Sequence, residues 1–375
     1  MKVKTLLIIS HTEHYLDAQG NPYGWTSTVK EIDYLASRFK KIIHLAVLHK
    51  NEVPPKSTAQ YSSENVQFIS IPAYGGPGIW NKLKILVVIP LLFTKVAVHL
   101  RKADLFQFRA PTSIGIFLIP FLSLFFWKKG WYKYAGNWMQ PNMPRSYKIQ
   151  KWLLEKIQNR PVTINGQWPN QNSHCFTFEN PCLFEADLDK FKEETILKPF
   201  NLPLQICFVG RLEPAKGVDR IVELLLSSGI EEKIATMHFI GDGDRKQQYE
   251  TILLKSNVTV VFHGFLERDA VFNIYKQCDG FFLPSDSEGF PKVIAEAAAF
   301  GCIPFVSDVS SIGQYVNGIN GFLWQVDKDN FTGFFQSLFL GKSALKNKQL
   351  KLYQLAEKFT FERYFNMLIH QKIIE

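Results

Sequence analysis

LQICFVGRLEPAKGVDRIVELLL, residues 204–226, is the stretch that decides how this chain folds. It predicts a strand over 204–210, a tight turn permitted by Gly210 and a helix over 218–226. The same unit returns downstream. Strands over 237–241, 258–264, 280–285 and 303–307 alternate with helices over 245–254, 270–278 and 291–300. The strands are continuous apolar runs rather than alternating ones, which suits a parallel sheet covered by helices on both faces. Regular alternation of strand and helix predicts an α/β, doubly wound sheet.

The first half repeats the plan less cleanly. Strands are expected over 3–10, 41–49, 66–73, 105–110, 131–136 and 162–166, with helices over 26–39 and 148–158. In the helix 26–39, Val29, Ile32, Leu35 and Ala36 fall on one face. Domains usually run to about 100–200 residues, so a chain of 375 predicts two. The boundary is expected within 180–202, a charged stretch holding Pro181 and Pro199 and running into Pro203. The domains are then 1–185 and 200–350. The tail, 351–375, belongs to a helix over about 350–374 with Tyr353, Phe359, Phe361, Tyr364, Phe365 and Leu368. So aromatic a helix needs a surface, and it is expected to cross back to the first domain.

The composition is globular: 46% hydrophobic and 21% charged. The net charge of +9 and a pI near 9.1 point to an anionic partner. No recognition motif supports nucleic acid. An acidic lipid surface or a phosphorylated small molecule remains. The five cysteines are odd in number and lack metal spacing, so they read as reduced, buried thiols of a cytoplasmic protein. MKVKTLLIISHTEH, at the start, has too short an apolar run for a signal peptide and reads as the first strand. Two further apolar runs, 85–93 and 115–127, fall short of the roughly 20 residues that a membrane span needs. Cations flank them: Lys82, Lys84, Lys95, Arg101 and Lys102 for the first, Lys128, Lys129 and Lys133 for the second. They read either as core helices or as an interfacial segment resting on anionic lipid through a basic rim.

Two loops carry chemistry. In the first, Arg211 and Lys216 stand between a strand and a helix N-terminus, and two cations there suit a diphosphate. In the second, SDSEGFPKVIAEAAAFG over 285–301, Pro291 fits the first helical position. Glu288 precedes that helix and Glu296 lies in its second turn, so two carboxylates sit at different depths of one crevice. Carboxylates accept hydrogen bonds from sugar and ribose hydroxyls. Backbone N–H groups at Gly289 and Phe290 add donors. Asp187-x-Asp189 reads as an exposed linker pair rather than a metal site. GDGDR at 241–245 is not a dinucleotide fingerprint, because Lys246 stands where the third glycine belongs.

Together, GRLEPAKGVDR at 210–220, GDGD at 241–244, HGF at 263–265 and the E-x7-E pair Glu288/Glu296 resemble the donor domain of GT-B glycosyltransferases of the retaining, family-four type (glycosyl transferases group 1). The resemblance covers about 202–324. It implies a GT-B fold, two Rossmann-like domains facing a central cleft, and transfer of a sugar from a nucleoside-diphosphate sugar with retention. By that resemblance Arg211, Lys216 and Glu288 are catalytic. The cations neutralise the diphosphate, and Glu288 holds hydroxyls of the transferred sugar. Glu296 binds the ribose; Gly210, Gly241, Gly243, His263, Gly264, Phe265, Gly289 and Phe290 complete the donor site. No metal and no cofactor is implied, only a nucleotide-sugar co-substrate, UDP by default and GDP otherwise. Partners are the donor, a glycan or lipid-linked acceptor and an anionic membrane surface. The implied setting is polysaccharide or surface-glycan synthesis in the cytoplasm, peripheral on the inner face of the membrane.

There is one departure. Many members carry a histidine near the end of a first-domain strand, and the matching stretch here, 132–138, has none. Acceptor-side candidates are therefore Asn137, Arg109, and His11 and Gly24 of a polar loop over 11–25. A catalytically silent GT-B module is the alternative reading. Its signature would be loss of the Arg, Lys or Glu set, and none is lost. A nucleotide-sugar epimerase shares the architecture, but the glutamate pair argues against it.

Overall fold

The computed structural model describes residues 3–74, 79–200, 202–326, 328–338 and 341–374, with backbone alone for 79–84 and 86. The chain divides into two compact units. One joins Met1–Glu179 with Tyr364–Glu375, and the other is Asn180–Arg363.

The first unit holds β1 (Thr5–Leu16), β2 (Pro22–Trp25), α1 (Thr26–Ala36), β3 (Lys41–His49), β4 (Thr58–Gln60), β5 (Val66–Pro72), α2 (Ile79–Lys102), β6 (Leu105–Ala110), α3 (Gly115–Phe125), β7 (Gly130–Tyr134), α4 (Arg145–Lys156), β8 (Val162–Ile164) and β9 (Cys175–Thr177). Its parallel strands run β5-β3-β1-β6-β7-β8-β9. The strand order therefore reverses between β1 and β6.

The second unit holds α5 (Glu185–Leu197), β10 (Leu204–Val209), α6 (Val218–Leu225), β11 (Ile234–Ile240), α7 (Lys246–Leu253), β12 (Thr259–Gly264), α8 (Arg268–Gln277), β13 (Gly280–Leu283), α9 (Lys292–Ala299), β14 (Ile303–Ser307), β15 (Phe322–Trp324), α10 (Phe331–Ser337) and α11 (Lys342–Glu357). Its sheet is parallel throughout in the order β12-β11-β10-β13-β14-β15, reversing between β10 and β13. Open sheets of this kind bind ligands beyond the carboxyl ends of the strands at the reversal. α6 shows what holds the layers together. Val218, Ile221, Val222, Leu224 and Leu225 are all buried, each worth about 1.5–3 kcal/mol before the cost of ordering the chain. The five cysteines are buried free thiols, as expected.

Three expectations need correction. The loop expected over 11–25 is a hairpin. β1 continues to Leu16 and β2 returns antiparallel, pairing His14 with Gly24. Its buried histidine, His14, is satisfied internally rather than by solvent. Ser10 Oγ donates to His44 Nε2 at 2.8 Å, His44 Nδ1 to Tyr61 Oη at 2.6 Å, Tyr61 Oη to His14 Nε2 at 2.6 Å, and His14 Nδ1 to the Thr12 carbonyl at 2.9 Å. The last acceptor is a carbonyl, and that fixes the direction of the whole chain.

The stretch expected as a linker is α5, although the units do divide at Asn180, where the expected range begins. Leu188 and Phe191 are buried, and a two-residue apolar stripe suffices to dock an otherwise charged helix. Asp187 is consequently no exposed linker residue: its carboxylate accepts from Phe184 N and meets Arg268 at 3.0 Å.

The single tail helix is two, α11 and α12 (Phe361–His370), broken where Phe359 and Phe361 bond the backbone of Cys182 and Leu183. From Tyr364 onward the tail joins the first unit. Gln107 Nε2 lies 3.4 Å from Tyr364 Oη, and Phe365 sits edge-on to Tyr34 and Phe39.

The run 85–93 is helical as expected, inside the longer α2, whose Lys82 and Lys84 side chains fall outside the described residues.

Candidate functional site

The loops after β10 and β13, the two strands at the reversal, are built to touch. Gly217 ends the first at φ +79°, and a Cβ there would stand 1.9 Å from the Pro284 carbonyl oxygen. Only glycine admits both the left-handed backbone and the approach. Asp286 N donates to the Ala215 carbonyl at 3.0 Å and fastens the two loops. Across this contact Lys216 Nζ meets Glu288 Oε1 at 2.7 Å, with the Glu288 side chain only 9% exposed.

A second brace was not legible as a site. Arg220 Nη2 meets Asp286 Oδ1 at 2.6 Å, and Nη1 donates to the Pro284 carbonyl at 2.9 Å. The signal was there: a cation in the first turn of α6 opposes the helix dipole and needs another purpose. Arg211 differs from both. It is 75% exposed and meets Glu213 at 3.3 Å, leaving an open cation at the sheet's carboxyl edge.

The glycines expected in the donor site converge there. A Cβ on Gly241 would fall 1.9 Å from the Gly210 oxygen, and one on Gly243 would fall 2.5 Å from the Leu212 oxygen. Gly241 N donates to the Gly264 carbonyl at 2.8 Å. His263 Nε2 lies 3.0 Å from His238 Nδ1. Burial lowers the pKa of both rings, and His263 lowers that of His238 further. One neutral ring therefore donates to the other. Phe265 is exposed.

Two details of the second loop are corrected. Pro291 is the N-cap of α9, which starts at Lys292, so it precedes the first helical position. The Phe290 side chain is core, stacked on Phe359 at 4.4 Å, and anchors the loop. The Gly289 carbonyl accepts from Ser311 Oγ at 3.2 Å. Glu296 lies in the second turn of α9, partly buried. The thiol of Cys182 and the phenol of Tyr275 hold their protons more tightly, chiefly through burial and next through the Glu296 charge.

Of the four acceptor-side candidates, His11 faces open space. It lines a cavity of about 690 Å³ with Glu13, His49, Glu52, Thr112 and Ser113, at the reversal of the first sheet. Burial, then Arg109, lowers its pKa. Glu13 and His49 were missed, although Glu13 stands two along β1 from His11 and shares its face.

Arg109 lies beneath the cavity rather than on its lining. It is buried, with Nη2 2.9 Å from Glu31 Oε1, the oxygen that Lys133 Nζ also meets at 2.7 Å. Gly24 makes room for a neighbour: a Cβ there would fall 2.4 Å from His14 Nε2. Asn137 Oδ1 accepts from Met139 N at 3.0 Å and caps its own loop.

Residues 189–335 match the model of the family Glycosyl transferases group 1. They are a glycosyl transferases group 1 domain. The domain lies wholly within the second unit. Among curated proteins, a glycosyltransferase of Methanocaldococcus jannaschii, itself uncharacterised, is 32% identical over 154 residues, 39% of each chain. The GDP-mannose-dependent alpha-mannosyltransferase of Mycolicibacterium smegmatis is 33% identical over 100 residues, 27% of this chain and 24% of that one. The match thus spans about two-fifths or less of the length of these relatives.

Solved structures resemble the whole chain. HepE of Anabaena, in complex with UDP, superposes with a TM-score of 0.68 at 14% identity, covering 99% of this chain and 100% of that one. The sucrose-phosphate synthase of Thermosynechococcus elongatus gives 0.68 at 14% identity, covering 98% and 99%. At such identity the likeness establishes the GT-B fold around the group 1 domain. Among the described residues no helix is long and apolar enough to cross a membrane.

Proposed function

We propose that the chain is a glycosyltransferase that takes its sugar from a nucleoside-diphosphate sugar, with UDP as the nucleotide. The observation that carries this is the Lys216–Glu288 pair, set with the open cation Arg211 on the loops at the sheet reversal of the group 1 domain. Arg211 and Lys216 take the diphosphate charge as the leaving group departs, the part a divalent cation plays elsewhere. Glu288, held in place by Lys216, accepts from hydroxyls of the transferred sugar, and Glu296 accepts from the ribose. The base lies by the Gly241–Gly243 turn and the exposed Phe265 ring. Retention is carried over from the family resemblance.

The acceptor is a glycan or lipid-linked sugar held by the first unit at the cavity of His11, Glu13 and His49. The neutral His11 imidazole and the Glu13 and Glu52 carboxylates there suit hydroxyl groups. We place the reaction in polysaccharide or surface-glycan synthesis, on the cytoplasmic face of a membrane.

Calorimetry and thermal shift against UDP, GDP and ADP, with and without their sugars and without added metal, test the reading. UDP should stabilise the protein selectively. Arg211→Ala should weaken binding by about 1.5–3 kcal/mol, the worth of a charge-assisted hydrogen bond. A protein that binds none of these nucleotides, or an Arg211→Ala variant that binds UDP undiminished, sinks the assignment.

A further inference from the structure

One face of the first unit has no part in the proposed transfer. α2 carries two stripes. Val88, Leu92, Val96 and Leu100 are buried, whereas Val87, Leu91 and Val98 on the far side are exposed, and that side ends in exposed Arg101 and Lys102. α3 lies alongside, with Phe121 stacked on Phe93 at 4.0 Å and 4°. The chain leaves α3 through Leu124, Phe125 and Trp127, which are 62%, 70% and 94% exposed. Single exposed apolar residues are ordinary, but six grouped on one helix pair mark an interaction surface.

Trp127 is also held out. Arg160 donates through Nε to the Lys128 carbonyl at 3.0 Å and through Nη2 to the Phe126 carbonyl, so both neighbours of Trp127 are fixed. Its guanidinium rests on the Phe106 ring beneath.

The charges carried by the two helices and the turn after α3 have one sign. Residues 79–102 and 113–134 contain neither Asp nor Glu. Lys128 and Lys129 follow Trp127 directly. His99 is held below its ordinary pKa first by burial and then by Lys102, Lys95 and Lys41, which shows these cations gathered in space. An apolar face with a tryptophan at its edge and an all-cationic rim is the pattern of an interfacial anchor.

We propose that this face, centred on Trp127 and rimmed by Lys102, Lys128 and Lys129, docks the protein on an anionic phospholipid bilayer. The apolar stripe enters the headgroup boundary and the cations meet lipid phosphates. The inference deepens the membrane placement above and owes nothing to the donor chemistry.

Co-sedimentation of the full chain tests it. The probes are vesicles of phosphatidylcholine alone and vesicles of equal parts phosphatidylcholine and phosphatidylglycerol. The protein should bind the anionic vesicles at low salt, leave them at high salt and ignore the neutral ones. Lys128→Glu with Lys129→Glu should lower the partition coefficient by at least about tenfold. Trp127→Ala should lower it several-fold with thermal stability unchanged. No binding to anionic vesicles at low salt overturns the proposal. So does equal binding by all three proteins. So does a Trp127-dependent dimer that ignores vesicles, which would assign the face to a second copy of the chain. UDP binding, measured in parallel, reports separately on the donor reading. A chain that binds vesicles but no nucleotide keeps this inference and loses that one.

Discussion

Lys216→Ala is the sharpest probe of the donor site, because the cost can be worked from the geometry. The ion pair is 2.7 Å long and its two side chains are 29% and 9% exposed. Exposed pairs contribute about 0–1 kcal/mol and breaking a buried one costs about 3–5. A short pair of intermediate burial should therefore couple by about 2 kcal/mol. The two halves are not equivalent. Removing Lys216 strands a carboxylate with little access to water, while Glu288→Gln strands an ammonium that solvent reaches. Urea unfolding of both single variants and the double variant should give Lys216→Ala the larger loss and a non-additive double. Function should split as well. Lys216→Ala should lower UDP affinity by about tenfold or more, whereas Glu288→Gln should keep UDP binding and lose transfer. Single costs that add to within about 0.5 kcal/mol would mean that the pair is decorative. A UDP affinity unchanged in Lys216→Ala would remove the diphosphate from this loop.

Glu31→Ala should destabilise the first unit by about 3–5 kcal/mol, because it leaves Arg109 and Lys133 buried without the carboxylate they share. Denaturation should show the loss with UDP binding preserved, and a loss below about 1 kcal/mol would refute the network's role. The protein should also weaken in acid. Burial lowers the His14 pKa to about 4, against about 6.5 in the unfolded chain. The folded state thus binds fewer protons, so stability is complete above the unfolded value and falls as pH drops from there toward 4, by at most about 3 kcal/mol. Burial moves His44 the same way. A urea midpoint unchanged between about pH 7 and pH 5 would contradict the hydrogen-bond chain, in which neither ring has a place for a second proton.

The two halves of the molecule were not equally legible. β3 and β6 occupy the stretches that their apolar runs predict, and so, within a residue or two, do β10, β12, β13 and β14. A fully covered parallel strand is apolar on both faces and needs no partner to announce it. The hairpin of β1 and β2 failed that test. His14 is as polar on paper as any loop residue, and nothing in the sequence near it shows that the Thr12 carbonyl and Tyr61 take its two ring nitrogens, with His44 and Ser10 extending the chain. α5 misled in the opposite sense. Its charges face outward, and the two residues that dock it, Leu188 and Phe191, are too few to make a visible stripe.

The same contrast governs the sites. The residues proposed for the donor were read together because each loop is short and local: Arg211, Lys216 and Gly217 lie within seven consecutive residues, as do Glu288, Gly289 and Pro291 within four. Neighbourhood in the chain is then nearly neighbourhood in space. The cavity of the first unit is assembled differently. His11 lies within β1, His49 ends β3 and Thr112 follows β6, tens of residues apart in the chain, and no one of those stretches shows that the three line one cavity. Arg109 shows the consequence. As a candidate it is one cation near the end of β6, yet the decisive fact about it is a glutamate 78 residues earlier in the chain. The Arg109 charge is met by Glu31 and its guanidinium is absent from the cavity lining. The proposed acceptor site therefore rests on side chains that face the cavity, and His11 with Glu13 is where substitution should begin.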